Sequence, residues 1–195
     1  IRKGMGVGYF EVGNAKYSLY GRLSYNYTHH DDTESTIERS SSTYHQTYSS
    51  VSRNNGYDWL GDLTFKAKLN PKDYLAVHAY FKTTSDKMSE SGNGTYDNGR
   101  AINYVLGQSS RDKSGIFTST LYFKHNFQKK EDLEIRMAYN YNENTNDAFR
   151  SDSYGTDLNE TNVLFQNQRN SGNLNIDYDK VFDNGSSLSI GNRTN

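Results

Sequence analysis

The feature of this sequence that most constrains its fold is a strict alternation of apolar and polar side chains. Between residues 17 and 28, one alternate set reads Tyr17, Leu19, Gly21, Leu23, Tyr25, Tyr27, and the other reads Ser18, Tyr20, Arg22, Ser24, Asn26, Thr28. A β-strand points successive side chains to opposite faces, so a sheet whose faces meet different environments leaves a period of two in the sequence. The alternation returns in residues 57–69, 74–82, 117–127, 133–141 and 174–190. The chain is therefore predicted to be all-β, with one apolar and one polar face to its sheet.

Short and long connections between these segments follow each other in regular succession. Tight turns are predicted near residues 13–15, 70–73, 128–132 and 183–185, with centres 56, 59 and 55 residues apart. The last turn contains Asn184-Gly185, which is a strong hairpin signal. The connections at the opposite ends are polar and far longer than the ordinary hairpin loop of about 2–5 residues. We interpret them as long surface loops, which span residues 29–55, 83–113 and 143–170.

Outer-membrane β-barrels have this asymmetry, with short turns at one end and long loops at the other. The ten residue steps from Trp59 to Leu69 would span roughly 26 Å at about 3.4 Å per residue and a tilt near 40°, close to the ~25 Å apolar band of such barrels. No run approaches the roughly 20 apolar residues of a membrane helix. We therefore predict an antiparallel up-and-down transmembrane β-barrel in a bacterial outer membrane, with residues 1–195 contributing about eight strands as one barrel segment.

The two faces of the predicted wall would meet different solvents. The residues expected to face lipid are Leu19, Leu23, Leu63, Phe65, Val77, Leu121, Phe123, Ile135, Met137 and Ile176. Those expected to line a lumen are Arg22, Asp62, Lys66, Lys68, Lys124, Glu134, Arg136 and Asp177. Aromatic girdles at the two margins of the apolar band would comprise Tyr25, Tyr27, Tyr57, Trp59, Phe81, Tyr139 and Tyr141 toward the loops, and Tyr17, Phe127 and Phe182 toward the turns. Outer-membrane lipid is thus the first predicted partner.

Composition and motifs narrow the class of function. With Lys+Arg 22 against Asp+Glu 23, the chain has no basic excess to neutralise phosphates, so no nucleic-acid partner is predicted. The run His29-His30-Asp31-Asp32 lacks further ligands at the spacing of a metal site, and no serine has the context of a catalytic triad. We therefore expect no enzyme activity, no metal and no cofactor, and a role in transport or surface binding.

The sequence leaves several interpretations of the fold and of the function open. A small eight-stranded barrel could close by itself, although its narrow lumen would have to pair every inward charge. A barrel that serves adhesion or surface-complex assembly would not transport anything, and a soluble β-sandwich that acts as a binding module also alternates. Aromatic residues in the predicted loops could stack on a ligand or merely hold the loops together; they are Tyr44, Tyr48, Tyr96, Tyr104, Tyr154 and Phe165.

The pattern of strands and polar connections resembles the TonB-dependent transporters, in particular SusC-like outer-membrane barrels. The segments that carry the resemblance are YSLYGRLSYNY (17–27), LTFKAKLNPKDYLAVHAYF (63–81) and LNIDYDKVFDNGSSLSI (174–190). The resemblance covers nearly the whole chain but includes no diagnostic short motif. It implies a barrel of about 22 strands with a plug domain, an inner-membrane energy complex and a surface lipoprotein as partners, and import of a glycan, peptide or metal chelate. Because no plug-like segment or coupling box is present, we expect a piece of a larger barrel.

Replacing Leu63 by Arg should destabilise the protein in a bilayer by about 2–4 kcal/mol, the usual cost of a cation on the lipid face of a barrel. Lys66→Ala should have little effect, because Lys66 is expected to face water. The two variants are compared by measuring their folding into lipid vesicles. Equal tolerance of both changes would contradict the assignment of the two faces.

Overall fold

The structure is a computed structural model that describes residues 2–97, 101–128 and 130–194. Over these residues the chain forms eight strands: β1 (Arg2–Gly13), β2 (Tyr17–Ser40), β3 (His45–Lys68), β4 (Asp73–Asp97), β5 (Ala101–Gln128), β6 (Glu131–Tyr154), β7 (Asp157–Val181) and β8 (Ser187–Thr194). The same residues contain no helix that is long and apolar enough to span a membrane.

The strands form one open sheet in the order β1-β2-β3-β4-β5-β6-β7-β8. Every neighbouring pair is antiparallel, so the topology is an up-and-down meander in which each strand pairs with its neighbours in sequence. Within the described part of the chain, β1 and β8 are the edges of this sheet. The all-β, up-and-down fold predicted from the alternation is confirmed.

The stretches interpreted as long loops form β-structure over most of their length. β2 and β3 stay paired as far as residues 40 and 45, and β6 and β7 as far as residues 154 and 157. The predicted loop 83–113 lies in β4 and β5, apart from residues 98–100, which are outside the described residues. The interpretation of 29–55, 83–113 and 143–170 as loops is therefore corrected to long hairpins. Apolar and polar residues do not alternate regularly in these stretches, so the sequence did not mark them as strands.

Short turns lie at the other ends of the strands, close to the predicted positions. They occupy residues 14–16, 69–72 and 182–186 and the link between β5 and β6; Lys129, the centre of that predicted turn, lies outside the described residues. The side-chain carbonyls of Asn14 and Asn70 each accept hydrogen bonds from backbone N–H groups two and three residues later, as in Asx turns. Gly185 has a positive φ of 85°, which glycine adopts without steric cost.

The register of the sheet sorts the side chains into two faces. Residues that lie opposite each other in neighbouring strands share a face, and one such row runs from β2 to β7 through Leu19, Phe65, Val77, Leu121, Met137 and Leu174. The ten residues predicted to face lipid all lie on the side of this row, called here the apolar face. The eight predicted lumen residues all lie on the other side, the polar face. Which solvent meets each face stays a prediction.

The short turns do not lie at one level along the strands. The residue pair that closes each short turn is displaced along the strands relative to the pair that closes the preceding short turn. The three displacements are two, three and one residues, which add up to six residues over six strands. One residue per strand corresponds to a tilt of about 35°, taking about 3.4 Å per residue and about 4.8 Å between strands. Strands of outer-membrane barrels are tilted by about 35–45°, so the stagger of this sheet fits a barrel wall.

The sheet is a single layer whose apolar face is largely uncovered. Leu63 is 45% exposed and Met137 is 49% exposed, and the only buried hydrophobic residues in the described part are Ala67 and Tyr104. A soluble sandwich would cover such a face with a second sheet, and the described residues provide none. The apolar face therefore needs an apolar medium or partner outside this sheet.

One irregularity in β2 changes which of its residues belong to each face. The register shifts between His30 and Thr33, so that Asp31 and Asp32 together oppose Arg53. This is a β-bulge, and the Arg53 guanidinium clamps it through two hydrogen bonds to the Asp32 carboxylate, at 2.7 Å and 2.8 Å. Odd-numbered residues of β2 lie on the apolar face before the bulge and on the polar face after it.

The Arg53 clamp predicts a pH dependence. Its hydrogen bonds lower the pKa of the Asp32 carboxyl below the usual value. A carboxyl with a lowered folded-state pKa stabilises the fold above its unfolded-state pKa of about 3.9, and this contribution is lost as pH falls through the folded-state pKa. We expect Arg53→Ala to return the pKa of Asp32 to its usual range, as measured by NMR titration of the carboxyl carbon. An unchanged titration would contradict the clamp.

Candidate ligand site on the polar face

Near the short turns, the polar face carries a network of paired charges. The Lys124 ammonium donates hydrogen bonds to Asp132, at 2.6 Å, and to Glu134, at 3.0 Å. Arg136 also pairs with Glu134, and its guanidinium carbon lies 5.7 Å from the centroid of the Tyr122 ring. Lys124 and Arg136 thus each have a carboxylate partner, which offsets the cost of partly burying their charges.

The other predicted lumen residues lie along the same face. Arg22 is directly opposite Asp62 in the β2–β3 pair, and Nε2 of His78 lies 3.2 Å from the Asp62 carboxylate. His78 was not singled out in the sequence, since an isolated histidine carries no motif. The remaining members of this face are Lys66, Lys68 and Asp177. The wall therefore presents mixed charge, without a large excess of either sign.

Aromatic residues mark both margins of the apolar face. Toward the long hairpins, the ring centroids of Tyr25 and Trp59 are 4.5 Å apart. Toward the turns, Phe127 and Tyr178 are 6.3 Å apart, and the Tyr178 hydroxyl donates a 2.6 Å hydrogen bond to Glu131. Rings with polar tips at such margins are typical of interfacial girdles. The same face holds the predicted girdle residues Tyr17, Tyr27, Tyr57, Phe81, Tyr139 and Tyr141, whereas Phe182 follows the end of β7.

Strands β2 to β7 are much longer than a membrane crossing requires. They have 24 to 28 residues each, whereas about 9–11 suffice for a transmembrane β-strand. The surplus lies at the end remote from the short turns and forms a six-stranded sheet, called here the extension. Hydroxyl groups link its strands, as between Thr47 and Thr95 at 2.8 Å. The extension comprises residues 30–40, 45–54, 87–97, 101–111, 147–154 and 157–164.

Three tyrosines form a stacked ladder on the polar face of the extension. The ring centroids of Tyr48 and Tyr104 are 5.7 Å apart, and those of Tyr104 and Tyr154 are 5.6 Å apart, with 7° and 20° between the ring planes. Tyr104 is only 7% exposed, and its hydroxyl accepts a 3.0 Å hydrogen bond from the Gln46 amide. Since Tyr48, Tyr104 and Tyr154 lie on β3, β5 and β6, the ladder joins all three long hairpins.

Hydrogen bonds hold Tyr48, at one end of the ladder, in a fixed position. The Tyr48 hydroxyl donates to one oxygen of Glu90 at 3.2 Å, and the Gln108 amide donates to the other at 2.6 Å. Burial, together with the negative charge of Glu90, raises the pKa of the Tyr48 hydroxyl above its usual value. Tyr48 therefore stays a neutral hydrogen-bond donor to Glu90 at ordinary pH.

Two glycines of β4 make room for the stacked rings. An added Cβ would lie 2.6 Å from Cζ of Tyr48 at Gly92, and 2.7 Å from Cζ of Tyr104 at Gly94. Both distances are shorter than real carbon contacts, so only glycine lets the two rings lean across β4. The tyrosine ladder and the Gly-Asn-Gly segment of β4 therefore form one packing unit.

An open hollow of about 200 Å³ lies beside the ladder. Aromatic, aliphatic and cationic groups converge on it, which is the usual composition of a small-molecule site. Two of the lining residues, Ile37 and Arg39, reach the polar face because they follow the bulge in β2. Among the described residues, its lining is Ile37, Arg39, Gln46, Tyr48, Tyr104, Leu106, Arg150 and Tyr154.

Sequence reasoning found the tyrosines of this site but missed most of their neighbours. Tyr44 and Tyr96 also stack on each other, with centroids 5.9 Å apart, whereas Phe165 lies apart on β7 and is 53% exposed. Arg39 and Arg150 were missed because both lie in stretches interpreted as loops. In these stretches no alternation of apolar and polar residues assigned a side chain to either face of the sheet. In the described part of the chain, no group of three or more His, Cys, Asp or Glu residues is placed to hold a metal ion.

Comparison with known proteins finds similarity of structure alone. No protein-family model and no curated protein matches this sequence. Among solved structures, the ferric yersiniabactin uptake receptor FyuA from Yersinia pestis matches 97% of this chain over 27% of its own length, with a TM-score of 0.52 and 8% identity. The RagAB peptide importer in its closed-closed state matches 98% of this chain over 32% of its own, with a TM-score of 0.46 and 12% identity.

The sheet resembles an outer-membrane barrel wall. At 8% identity, the likeness to FyuA concerns the fold alone, and at that level it agrees with the resemblance predicted from the alternating hairpins. The chain spans about a quarter of the length of FyuA, 27%. The eight strands thus match one part of that receptor, and the extension continues the sheet beyond the apolar band.

Gly94→Ala should loosen the extension, because the added methyl group would meet the Tyr104 ring and the Thr47 carbonyl oxygen. Overpacking of this kind usually costs about 1–3 kcal/mol. Gly107→Ala is the matched control, since no atom of the described residues lies within 4 Å of its added methyl group. Hydrogen exchange should become faster in residues 101–111 but not in 117–124, and only for Gly94→Ala. Equal exchange in the two variants would show that the ladder does not order the extension.

Proposed function

We propose that this chain forms part of the wall of an outer-membrane nutrient importer. In this proposal the apolar face contacts membrane lipid, the polar face lines a wide aqueous lumen, and the extension recognises the ligand on the cell surface. The observation that carries the proposal is the single-layer sheet with its long extension at only one end. The chain itself is proposed to bind and conduct, without a catalytic role.

The apolar face has the properties of a lipid-contacting surface. Its large side chains are exposed in a continuous band, and aromatic residues bound the band at both margins, as in transmembrane barrels. Two shallow grooves of about 530 Å³ and 610 Å³ cross this face and are lined mainly by aliphatic and aromatic groups. A water-soluble protein would seldom leave such a surface bare, whereas acyl chains would cover it.

The polar face favours a wide lumen over a narrow, packed interior. A small closed barrel fills its interior with side chains, and charges inside it would lose their hydration. On the open sheet, the side chains of Lys124, Glu134 and Arg136 are paired and are exposed by 28%, 17% and 55%, and a narrow interior would bury them further. An aqueous lumen keeps the outer side of this network hydrated.

Import of a nutrient is the more specific part of the proposal. It is supported by the fold likeness to an uptake receptor and by a hollow lined by aromatic and cationic groups on the lumen side of the extension. A plug domain, an inner-membrane energy complex and a surface lipoprotein are proposed partners, because the resemblance to SusC-like transporters implies them. The alternative of a non-transporting barrel for adhesion or surface assembly shares the location but predicts no ligand uptake.

Location is tested by single cysteines, since this chain contains none of its own. Ser42→Cys lies in the turn between β2 and β3, and Ala15→Cys lies in the turn between β1 and β2, at opposite ends of the sheet. In intact cells a membrane-impermeant maleimide should label Ser42→Cys, and it should label Ala15→Cys only after the outer membrane is opened. Labelling of both in intact cells would contradict the transmembrane arrangement.

Transport is tested in the same strains. Cells that carry the full-length gene should accumulate one of three labelled probes, a ferric chelate, an oligopeptide or an oligosaccharide, and a deletion strain should not. A protonophore should abolish the accumulation if an inner-membrane energy complex drives it. Correct labelling of Ser42→Cys without accumulation of any probe would favour the non-transporting barrel.

A further inference from the structure

The hollow beside the tyrosine ladder is cationic. Two guanidinium groups, those of Arg39 and Arg150, line it, and no carboxylate among the described residues does. The Arg39 side chain is exposed, and within the described part of the chain it makes no side-chain hydrogen bond or ion pair. The carboxylate next to it in sequence, Glu38, belongs to the opposite face, where it lies 3.5 Å from Nε2 of His45. Arg39 therefore presents an uncompensated charge to the hollow.

The acidic groups nearest to the hollow on the polar face are already engaged. Glu90 accepts hydrogen bonds from Tyr48 and Gln108. Asp152 accepts from Arg150, at 3.2 Å and 3.4 Å, so it orients that guanidinium and neutralises part of its charge. Arg39 thus has the larger uncompensated charge for binding an anion, whereas the guanidinium of Arg150 is held in a fixed orientation.

The rest of the lining suits an apolar ring. Ile37 and Leu106 contribute aliphatic surface, and Tyr154, the last ring of the ladder, is 45% exposed. The other two rings offer little free surface, because stacking covers them. With about 200 Å³, the hollow is smaller than the roughly 300–1,000 Å³ of sites that enclose a whole drug-sized ligand. It therefore has room for one charged ring group.

The β-bulge is an independent sign that this constellation is built for binding. In regular pairing, the odd-numbered residues of β2 would stay on the apolar face along the whole strand. The extra residue at Asp31 and Asp32, clamped by Arg53, transfers Ile37 and Arg39 to the ladder side. Bulges are enriched next to functional sites, where they re-aim side chains.

We propose that the hollow binds an anionic planar ring group, such as an aromatic carboxylate, either as a small ligand or as the end of a larger one. The carboxylate pairs with Arg39 and Arg150, and the ring contacts Ile37, Leu106 and Tyr154. This inference rests on the proposed function, since it names the chemical class that the extension would recognise. Bidentate pairing of guanidinium with carboxylate supplies both affinity and orientation.

The probe is 2-naphthoate, with 2-naphthamide as its neutral counterpart and 2-naphthylmethylammonium as its cationic one. Binding to the full-length protein in lipid nanodiscs is measured by equilibrium dialysis against empty nanodiscs. We expect 2-naphthoate to bind most tightly. Arg39→Gln should weaken its binding by about 10-fold or more, as loss of a charge-assisted hydrogen bond usually does, and should leave 2-naphthamide unaffected.

Arg169→Gln is the matched control, because Arg169 is an exposed arginine on the same polar face but does not line the hollow. Weakening by Arg39→Gln alone supports the site. Equal binding of the three probes, or equal weakening by both variants, overturns it. Cysteine labelling does not depend on this hollow, so correct labelling with a negative dialysis result would reject the ligand class and leave the barrel-wall proposal standing.

Discussion

Backbone pairing between neighbouring strands is the interaction on which the rest of this structure depends. An antiparallel ladder satisfies the N–H and C=O groups between strands, and it also fixes which side chains share a face. A slip of one residue in any pair would move the following strands' apolar side chains to the polar side. The continuous row through Leu19, Phe65, Val77 and Leu121 shows that the registers agree from strand to strand. The apolar band, the charged wall and the ligand site are all consequences of that agreement.

The part of the fold that could be predicted from the sequence is the part where one face of the sheet is apolar and the other is polar. There, residues such as Leu63 and Phe65 alternate with Thr64 and Lys66, and the period of two is visible. In the extension both faces can meet water, so nothing enforces alternation, although the backbone is paired just as regularly. Pairs of hydroxyl residues such as Ser35 and Ser50, whose side-chain oxygens are 2.9 Å apart, look like loop composition in a sequence. Such a segment forms a strand because its backbone pairs with the neighbouring strand.

The candidate site shows a second limit of sequence reasoning. Tyr48, Tyr104 and Tyr154 stand out as isolated aromatics, but their spacing along the chain carries no information on which strands lie side by side. Arg39 is even harder to assign to a face from the sequence, because extending the alternation of β2 from Tyr27 would place it on the apolar face. The bulge at Asp31 and Asp32 reverses that assignment. A single extra residue thus decides the chemistry of a site several residues away, and only the paired partner strand reveals it.

Rigidity connects the ladder to recognition. Long hairpins that extend beyond the rest of a sheet would ordinarily be mobile, and a mobile site loses conformational entropy on binding. Stacked rings across β3, β5 and β6, seated on Gly92 and Gly94, hold three hairpins in one arrangement before any ligand arrives. The rings that stabilise the extension are therefore mostly unavailable to the ligand, while the groups at the end of the ladder remain free. If the hollow binds the proposed anionic ring group, packing and binding are not alternative roles for the loop tyrosines: Tyr48 and Tyr104 pack on each other, while Tyr154 and the two arginines contact the ligand.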